Sequence, residues 1–289
     1  MICNLCPRRC NAERTFEKND GGFCKSPLNM KITRAELHFW EEPVISGKNG
    51  SGTVFFSGCS LGCVYCQNSE ISRAPVGKSV TPYELAEIFK ELEIKGANNI
   101  NLVTGDHYAY EIKKAFQIYR PKIPVVLNSG GYISEEQLKL LEDYVDIYLL
   151  DFKYISANRA KKYSFSEDYP FVAKNAIEFA VKKQPACIFD ENGIMQKGVI
   201  IRHLLMPLAT NEAIKVFDFV KQVAPNAYFS IMGQYLPLGT AENFPEINRK
   251  VTRREYKKVV DYIAESGFEN CFVQELSSAD KRFIPDFDV

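Results

Sequence analysis

Short apolar runs alternate with longer amphipathic stretches along most of the chain. The runs are rich in β-branched and aromatic residues and cover residues 53–57, 99–104, 125–128, 145–151, 199–206 and 228–232, with a short seventh run at 271–274. Helix-start signals such as Thr81-Pro82 and Ser134 begin some of the stretches between them. This alternation predicts an α/β fold with a parallel sheet and helices outside it. Six clear units predict an open barrel or a doubly wound sheet rather than a closed eight-unit barrel.

The first 50 residues do not follow this alternation. The pattern predicts a Cys-rich metal-binding extension at residues 1–50, the α/β unit at 51–275 and a C-terminal tail at 276–289. Hydrophobic residues make up 46% of the 289 residues, which is enough for a sizeable core. The 36 Lys and Arg balance the 36 Asp and Glu, which argues against a nucleic-acid partner. No apolar run is long enough to cross a membrane and no secretory leader is visible, so we expect a soluble, cytoplasmic protein.

Polar residues and glycines stand at the ends of the predicted strands. In chain order they include Gly105, Asp106, Asn128, Asp151, Lys153, Arg202 and Gln234. The carboxyl ends of parallel strands meet at one face of such a fold, where binding and catalytic residues collect. We therefore expect these residues to line a single pocket.

The cysteines form two groups. Nine are present, and seven of them lie in the first 66 residues. In a reducing compartment, clustered thiols more often bind metal than form disulfides. The first group, with the spacing C-x2-C-x3-C-x13-C, comprises Cys3, Cys6, Cys10 and Cys24. The second group, with the spacing C-x3-C-x2-C, comprises Cys59, Cys63 and Cys66. Cys187 and Cys271 stand apart, and we expect them to be ordinary core or surface thiols.

Each cysteine group predicts a different kind of metal site. Four thiolates complete a coordination sphere, so the first group predicts a closed site that holds either zinc or an auxiliary [4Fe–4S] cluster. The second group has three thiols and no obvious fourth ligand. It indicates a [4Fe–4S] cluster with one iron open, the alternative being a structural zinc loop or incidental core thiols.

Cys59, Cys63 and Cys66, with the aromatic Tyr65 before the last cysteine, resemble the signature of radical S-adenosylmethionine (SAM) enzymes. Nearly the whole chain is similar to the pyruvate formate-lyase activating enzyme group, and most of all to a branch with an N-terminal four-Cys segment. The stretches that carry this resemblance are residues 3–10, 38–43, 50–57, 145–154 and 201–204. The resemblance implies a partial (βα)6 barrel of the TIM type, reductive cleavage of SAM and abstraction of a hydrogen atom.

The resemblance also implies roles for individual residues. The three cysteines would hold the cluster, while Tyr65 and Gln67 would flank adenine. Residues 104–107 stand where the family usually has a Gly-Gly-Glu motif whose backbone receives the SAM amino group, which is a departure from the family pattern. Gly105 still permits close approach of the backbone, and Asp106 could still accept a hydrogen bond from an ammonium group. Asp151 and Lys153 match an Asp-x-Lys element that contacts SAM and helps to bind a monovalent cation. Arg202 would face the SAM carboxylate, and Gln234 stands where the group has a His near adenine.

Three functions are compatible with this sequence. The resemblance implies an activase that abstracts hydrogen from a glycine of a partner glycyl-radical enzyme, with flavodoxin or ferredoxin as electron donor and in an anaerobic setting. The alternative is a radical SAM enzyme that modifies a small molecule, a peptide or another protein. A non-enzymatic redox sensor built on iron–sulfur or zinc is the third, and the polar strand ends argue against it.

Overall fold

A computed structural model describes residues 1–280, 282 and 287. The strands are β1 (Ile2–Cys3), β2 (Ala12–Arg14), β3 (Asn19–Asp20), β4 (Met30–His38), β5 (Ser51–Phe56), β6 (Lys78–Val80), β7 (Ile100–Val103), β8 (Val125–Ser129), β9 (Ile147–Asp151), β10 (Ile188–Phe189), β11 (Met195–Leu204), β12 (Tyr228–Met232) and β13 (Cys271–Val273). The helices are α1 (Pro43–Ser46), α2 (Ser69–Ser72), α3 (Pro82–Ile94), α4 (Ala109–Ile118), α5 (Glu135–Leu141), α6 (Ala157–Ser164), α7 (Tyr169–Lys183), α8 (Thr210–Val223) and α9 (Arg253–Glu265).

One large sheet organises the chain. Its strand order is β13-β12-β11-β9-β8-β7-β5-β4-β6, and β10 pairs with β11 outside this path. Between β5 and β13 on this path, each strand is parallel to the next one. These strands also follow one another in sequence order. The end strands β13 and β6 do not pair with each other in the described part of the chain, so the barrel is open. The predicted α/β fold with a partial parallel barrel is confirmed, and the seventh run is a strand.

Local signals explain several helix starts. Thr81, Ser134 and Thr252 each precede a helix, and each side-chain oxygen accepts a hydrogen bond from the backbone N–H three residues later. The side chain of that later residue in turn accepts from the N–H of the cap, which completes a capping box. The helix starts predicted at Thr81 and Ser134 are confirmed. Among the described residues, no helix has both the length and the apolar character that crossing a membrane requires.

The N-terminal extension is less separate from the barrel than its sequence indicates. Strands β1, β2 and β3 form a small antiparallel sheet of their own. Strand β4, however, pairs antiparallel with both β5 and β6 and belongs to the large sheet. The division at residue 50 stays a prediction, as does the tail at 276–289, most of whose last nine residues lie outside the described ones.

Helix α1 closes the inside of the barrel. Its Ile45 is fully buried in an apolar cluster with side chains from β8, β9 and β11, namely Val126, Ile147, Leu149, Met195 and Ile200. The start of β7 holds the helix in place: the Asn98 amide donates to the Ser46 carbonyl at 2.6 Å, and the Asn99 amide donates to the Ile45 carbonyl at 2.8 Å. Residues 39–42, which precede α1, are thereby brought into the barrel.

We predict that Ile45→Ala lowers the free energy of unfolding by about 2–5 kcal/mol, because a buried side chain is lost and a cavity is left inside the barrel. Ile94→Ala is the matched control, since Ile94 is 85% exposed, and its effect should stay below about 0.5 kcal/mol. Denaturant unfolding of both variants measures the difference. Equal effects would contradict a role for α1 as a barrel plug.

Candidate functional site

A cavity of about 840 Å³ is lined by residues from the carboxyl ends of the parallel strands. Nearly all of the predicted pocket residues line it: Cys59, Cys63, Tyr65, Cys66, Gln67, Asp106, Asn128, Asp151, Lys153, Arg202 and Gln234. Gly105 does not line it. Cys271, which we expected to be an ordinary thiol, does line it, together with Phe272 and Val273 of β13. The structure therefore brings these strand-end residues together at one cavity, and their binding roles stay predictions.

The loop after β5 presents three thiols to this cavity, and each sulfur accepts at least one hydrogen bond. The Leu61 backbone N–H donates to Cys59 Sγ at 3.3 Å. The Ser164 hydroxyl donates to Cys63 Sγ at 3.0 Å, and the Ser72 hydroxyl donates to Cys66 Sγ at 3.5 Å. Such donors stabilise a thiolate, so the loop is suited to hold sulfur ligands in their metal-binding form.

Glycine is required at the start of this loop. Gly58 has a φ of 86°, and a Cβ there would lie 2.1 Å from Ser26 Oγ and 2.9 Å from the Cys24 carbonyl oxygen. The turn that leads into Cys59 is therefore packed directly against the N-terminal cysteine segment.

The end of β7 differs from the expectation based on close backbone approach. Gly105 has a φ of −83°, and a Cβ there would meet Ile112 and Phe56, so the glycine is needed for packing behind the cavity. The left-handed residue is instead Thr104, with a φ of 56°, and it lines the cavity. A threonine in this conformation is strained, which is typical of functional sites.

Asp106 is buried with one oxygen unpaired. The Ser129 hydroxyl donates to its Oδ2 at 2.7 Å, whereas Oδ1 has no hydrogen-bond partner. Burial raises the pKa of Asp106 to about 7. The unpaired oxygen is free to accept a hydrogen bond, and the predicted contact of Asp106 with the SAM ammonium group stays a prediction.

Asp151, Lys153 and Arg202 form a largely buried ion network. The Lys153 ammonium lies 2.5 Å from Asp151 Oδ2, and the Arg202 Nε lies 2.8 Å from Asp151 Oδ1. Burial opposes ionisation of Asp151, but Arg202 and Lys153 outweigh it and lower the pKa of the carboxyl group. Both oxygens of Asp151 thus contact cationic side chains, and the monovalent cation stays a prediction.

Two neighbouring glutamates complete this network, and the sequence analysis assigned no role to either. Arg202 Nη1 lies 3.1 Å from Glu41 Oε2 and 3.9 Å from Glu42 Oε2. Asn128 bridges the same pair, because its amide donates to Glu41 Oε1 at 3.0 Å and its oxygen accepts from Arg202 Nη2 at 2.7 Å. All three nitrogens of Arg202 therefore already have acceptors, and its predicted contact with the SAM carboxylate stays a prediction.

The aromatic and amide residues predicted near adenine differ in how firmly they are held. The Tyr65 hydroxyl is 2.6 Å from the Tyr154 hydroxyl, which is 3.0 Å from the Ser164 hydroxyl. This buried chain of hydrogen bonds ends on the Cys63 sulfur, so Tyr65 is positioned through the cysteine loop. Gln67 is exposed, and Gln234 accepts a hydrogen bond from the Gln274 amide at 3.1 Å.

The comparison with known families agrees with this geometry. The family model described as "Radical SAM superfamily" matches residues 53–196, which include the three-cysteine loop and the strand ends up to Lys153. The chain belongs to the radical SAM superfamily.

The chain is also similar to individual proteins. An uncharacterized protein of Methanocaldococcus jannaschii is 34% identical over 268 residues, which cover 90% of this chain and 73% of that protein. The structure of SuiB from Streptococcus suis bound to S-adenosylmethionine has a TM-score of 0.54 at 16% identity over 76% of this chain; the match spans about half, 49%, of SuiB. A domain of a pyruvate-formate lyase-activating enzyme from Bacteroides vulgatus has a TM-score of 0.38 at 8% identity, too low to support a functional conclusion.

A radical SAM protein implies a [4Fe–4S] cluster, and the residues present fit one. Burial raises the pKa of all three thiols, that of Cys59 to about 11, so without metal they retain their protons. Across the described residues, no three or more His, Cys, Asp or Glu are arranged around a single metal ion. The fit rests on the donor set: three thiols face one cavity, and the sulfur of each accepts a hydrogen bond, as suits the three protein ligands of a cluster with one open iron.

The N-terminal cysteines of this radical SAM protein also converge. Cys6 lies near Cys3, Cys10 and Cys24. Burial raises the pKa of Cys6 to about 12, and the three neighbouring thiols contribute to the rise, whereas a backbone hydrogen bond from Arg8 opposes it. The other three sulfurs accept from N–H groups of Arg14, Phe23 and Asn19 at 3.5–3.6 Å. Cys6 thus lies near the other three thiols, although among the described residues no three of these cysteines surround a single metal ion, and whether the group holds zinc or a second cluster stays a prediction.

Arg8 joins the two cysteine groups. Its Nε donates to the Ser60 carbonyl at 2.7 Å, and its Nη2 donates to the Ser164 carbonyl at 3.0 Å. The guanidinium also lies 3.9 Å over the ring of Phe23. Arg8, which stands between Cys6 and Cys10, thus anchors the N-terminal segment onto the three-cysteine loop.

We predict that the stability of Asp106→Asn relative to the wild type, both without metal, is higher at about pH 8 than at about pH 5. Across this range the unfolded wild type has already released the proton of Asp106, whereas the folded protein keeps it until the pH nears its raised pKa of about 7, so the unfolding free energy of the wild type falls as the pH rises. At about 1.4 kcal/mol per pKa unit, the unfolding free energy of the variant relative to that of the wild type rises by on the order of 3 kcal/mol over this range. Unfolding curves at several pH values measure it, with Asp143→Asn, an exposed carboxylate, as control. A pH-independent difference would contradict the burial of an ionisable Asp106.

Proposed function

We propose that the chain is a radical SAM enzyme that cleaves SAM reductively and abstracts a hydrogen atom from a substrate. One observation supports this most directly: three thiols with hydrogen-bond donors face the same cavity as buried acidic and basic side chains. A redox sensor needs cysteines but has no need for a cavity of this size with charged groups beside them.

Cys59, Cys63 and Cys66 would hold a [4Fe–4S] cluster and leave one iron for SAM. When bound, the cluster supplies the electron that breaks a carbon–sulfur bond of SAM. Asp106 would accept a hydrogen bond from the SAM ammonium group through its unpaired Oδ1. Ser164 and Ser72 would hold the thiolates in place, because hydrogen bonds to cluster sulfurs set the potential at which the centre is reduced.

The remaining partners and groups are part of the same proposal. Flavodoxin or ferredoxin would deliver the electron, and the N-terminal cysteines would hold zinc or an auxiliary [4Fe–4S] cluster. Arg8 supports a structural or electron-entry role for that site, because hydrogen bonds from its side chain link the N-terminal segment to the residues around the second cysteine group.

The open edge of the barrel would admit a substrate from the side. Phe39 near the end of β4 and Val273 of β13 both line the cavity, and both are exposed. A glycine loop of a glycyl-radical enzyme is one proposed substrate, and a small molecule or a peptide side chain is the other. An EPR doublet from a glycyl radical, formed on adding a candidate partner enzyme, tests the first.

We predict that the reconstituted, reduced protein converts SAM into 5′-deoxyadenosine under anaerobic conditions. Replacement of Cys59, Cys63 and Cys66 by Ala should abolish this product, because no cluster can then be held. Replacement of Cys187 by Ala is the control and should retain it, since this thiol lies outside the cavity lining. Product from the triple variant would overturn the cluster assignment.

We also predict that the triple-Ala variant still binds metal at its N-terminal cysteines. Metal analysis of this variant should find about one zinc or about four irons per chain, with sulfide in the second case. Replacement of Cys6, which lies near the other three thiols, should remove that metal. Absence of both metals from the triple-Ala variant would contradict a second site.

A further inference from the structure

The acidic side chains of the cavity outnumber the basic ones. The lining contains Glu41, Glu42, Asp106 and Asp151 but only Lys153 and Arg202 as cationic residues. Lys153 contacts Asp151, and Arg202 contacts Asp151 and Glu41 at hydrogen-bond distance. Two carboxylates, those of Glu42 and Asp106, are left without a cationic partner at that distance.

Glu42 is the stronger indication of a ligand. It is 9% exposed, and its Oε2 has no hydrogen-bond partner. The nearest cation, Arg202 Nη1, is 3.9 Å away and is already bonded to Glu41. An unpaired buried carboxylate oxygen raises the free energy of the folded protein. Burial is also the largest cause of the raised pKa of Glu42, which is about 7. A ligand that brings a cation to Oε2 would remove this cost.

From this charge pattern we infer that the substrate carries an ammonium group on an aliphatic chain, and that Glu42 binds this group. The inference rests on the proposed function, in which Asp106 is taken by the SAM ammonium. The cofactors do not supply the missing positive charge. SAM carries one net positive charge and an unreduced [4Fe–4S] cluster with three thiolates carries one net negative charge, so the two cancel.

The surroundings of Glu42 suit such a chain. Phe39 and Trp40 precede the glutamates in sequence and line the same cavity, as do Phe272 and Val273 across the open edge of the barrel. Apolar side chains at the entrance and carboxylates further inside match a molecule with an aliphatic body and a cationic end. The segment before α1 would therefore select the substrate, while the strand ends hold the cofactor.

Titration calorimetry on the reconstituted protein with SAM bound, unreduced and at about pH 8, tests this inference. The probes are n-butylamine, which is cationic at this pH, and n-butanol, which is neutral and of similar shape. We expect the amine to bind at least about 10-fold more tightly, as a charge-assisted hydrogen bond provides. A lysine-containing peptide and its Nε-acetylated form, tested in parallel, distinguish a protein side chain from a small-molecule source.

Substitutions at the glutamate give the second arm. Glu42→Gln should remove the preference for the amine, and Glu42→Asp should restore part of it. Glu87→Gln, at an exposed glutamate of α3, should leave it unchanged. Equal binding of amine and alcohol by the wild type, or an undiminished preference in Glu42→Gln, would overturn the inference.

The same samples separate this inference from the proposed function. Iron content, sulfide content and SAM binding are measured on each protein before titration. A wild type that holds the cluster and SAM but shows no amine preference contradicts only the role of Glu42. A wild type that lacks cluster and SAM binding contradicts the proposed function itself.

Discussion

A buried guanidinium needs acceptors on every side, and this requirement shapes the interior of the protein. Arg202 in β11 is paired with Asp151 from β9, with Asn128 from β8 and with Glu41 from the segment before α1. Loss of one partner from a buried ion pair costs about 3–5 kcal/mol, since an uncompensated charge is left behind. The network therefore joins the barrel wall to the segment that enters it, and α1 below it seals the interior with Ile45.

The N-terminal segment supports the reactive loop from outside the barrel. Arg8 donates to the backbone carbonyls of Ser60 and Ser164. Ser164 in turn donates to the Cys63 sulfur. The two cysteine groups are thus linked through Arg8 and Ser164.

Most of the barrel could be predicted because its signals are local. Alternation of apolar runs with helical stretches, and caps such as Thr81 and Ser134, depend on neighbouring residues only. Strand β4 was missed because it is mostly half-buried and pairs antiparallel with both β5 and β6, so it shows neither a continuous apolar run nor a following helix. Helix α1, with four residues, is too short to show a periodic pattern.

The sequence by itself determined the chemistry that is available: the spacing of three thiols, the four N-terminal thiols and the polar groups at the strand ends. Only the tertiary structure decided which charges meet. Glu41 and Arg202 are 161 residues apart in the chain, and their contact depends on how α1 enters the barrel. No local pattern records such a contact, because the energy of a buried charge depends on the partners that folding brings to it. For that reason the unpaired Glu42, the packing role of Gly105 and the position of Cys271 became visible only in the folded chain.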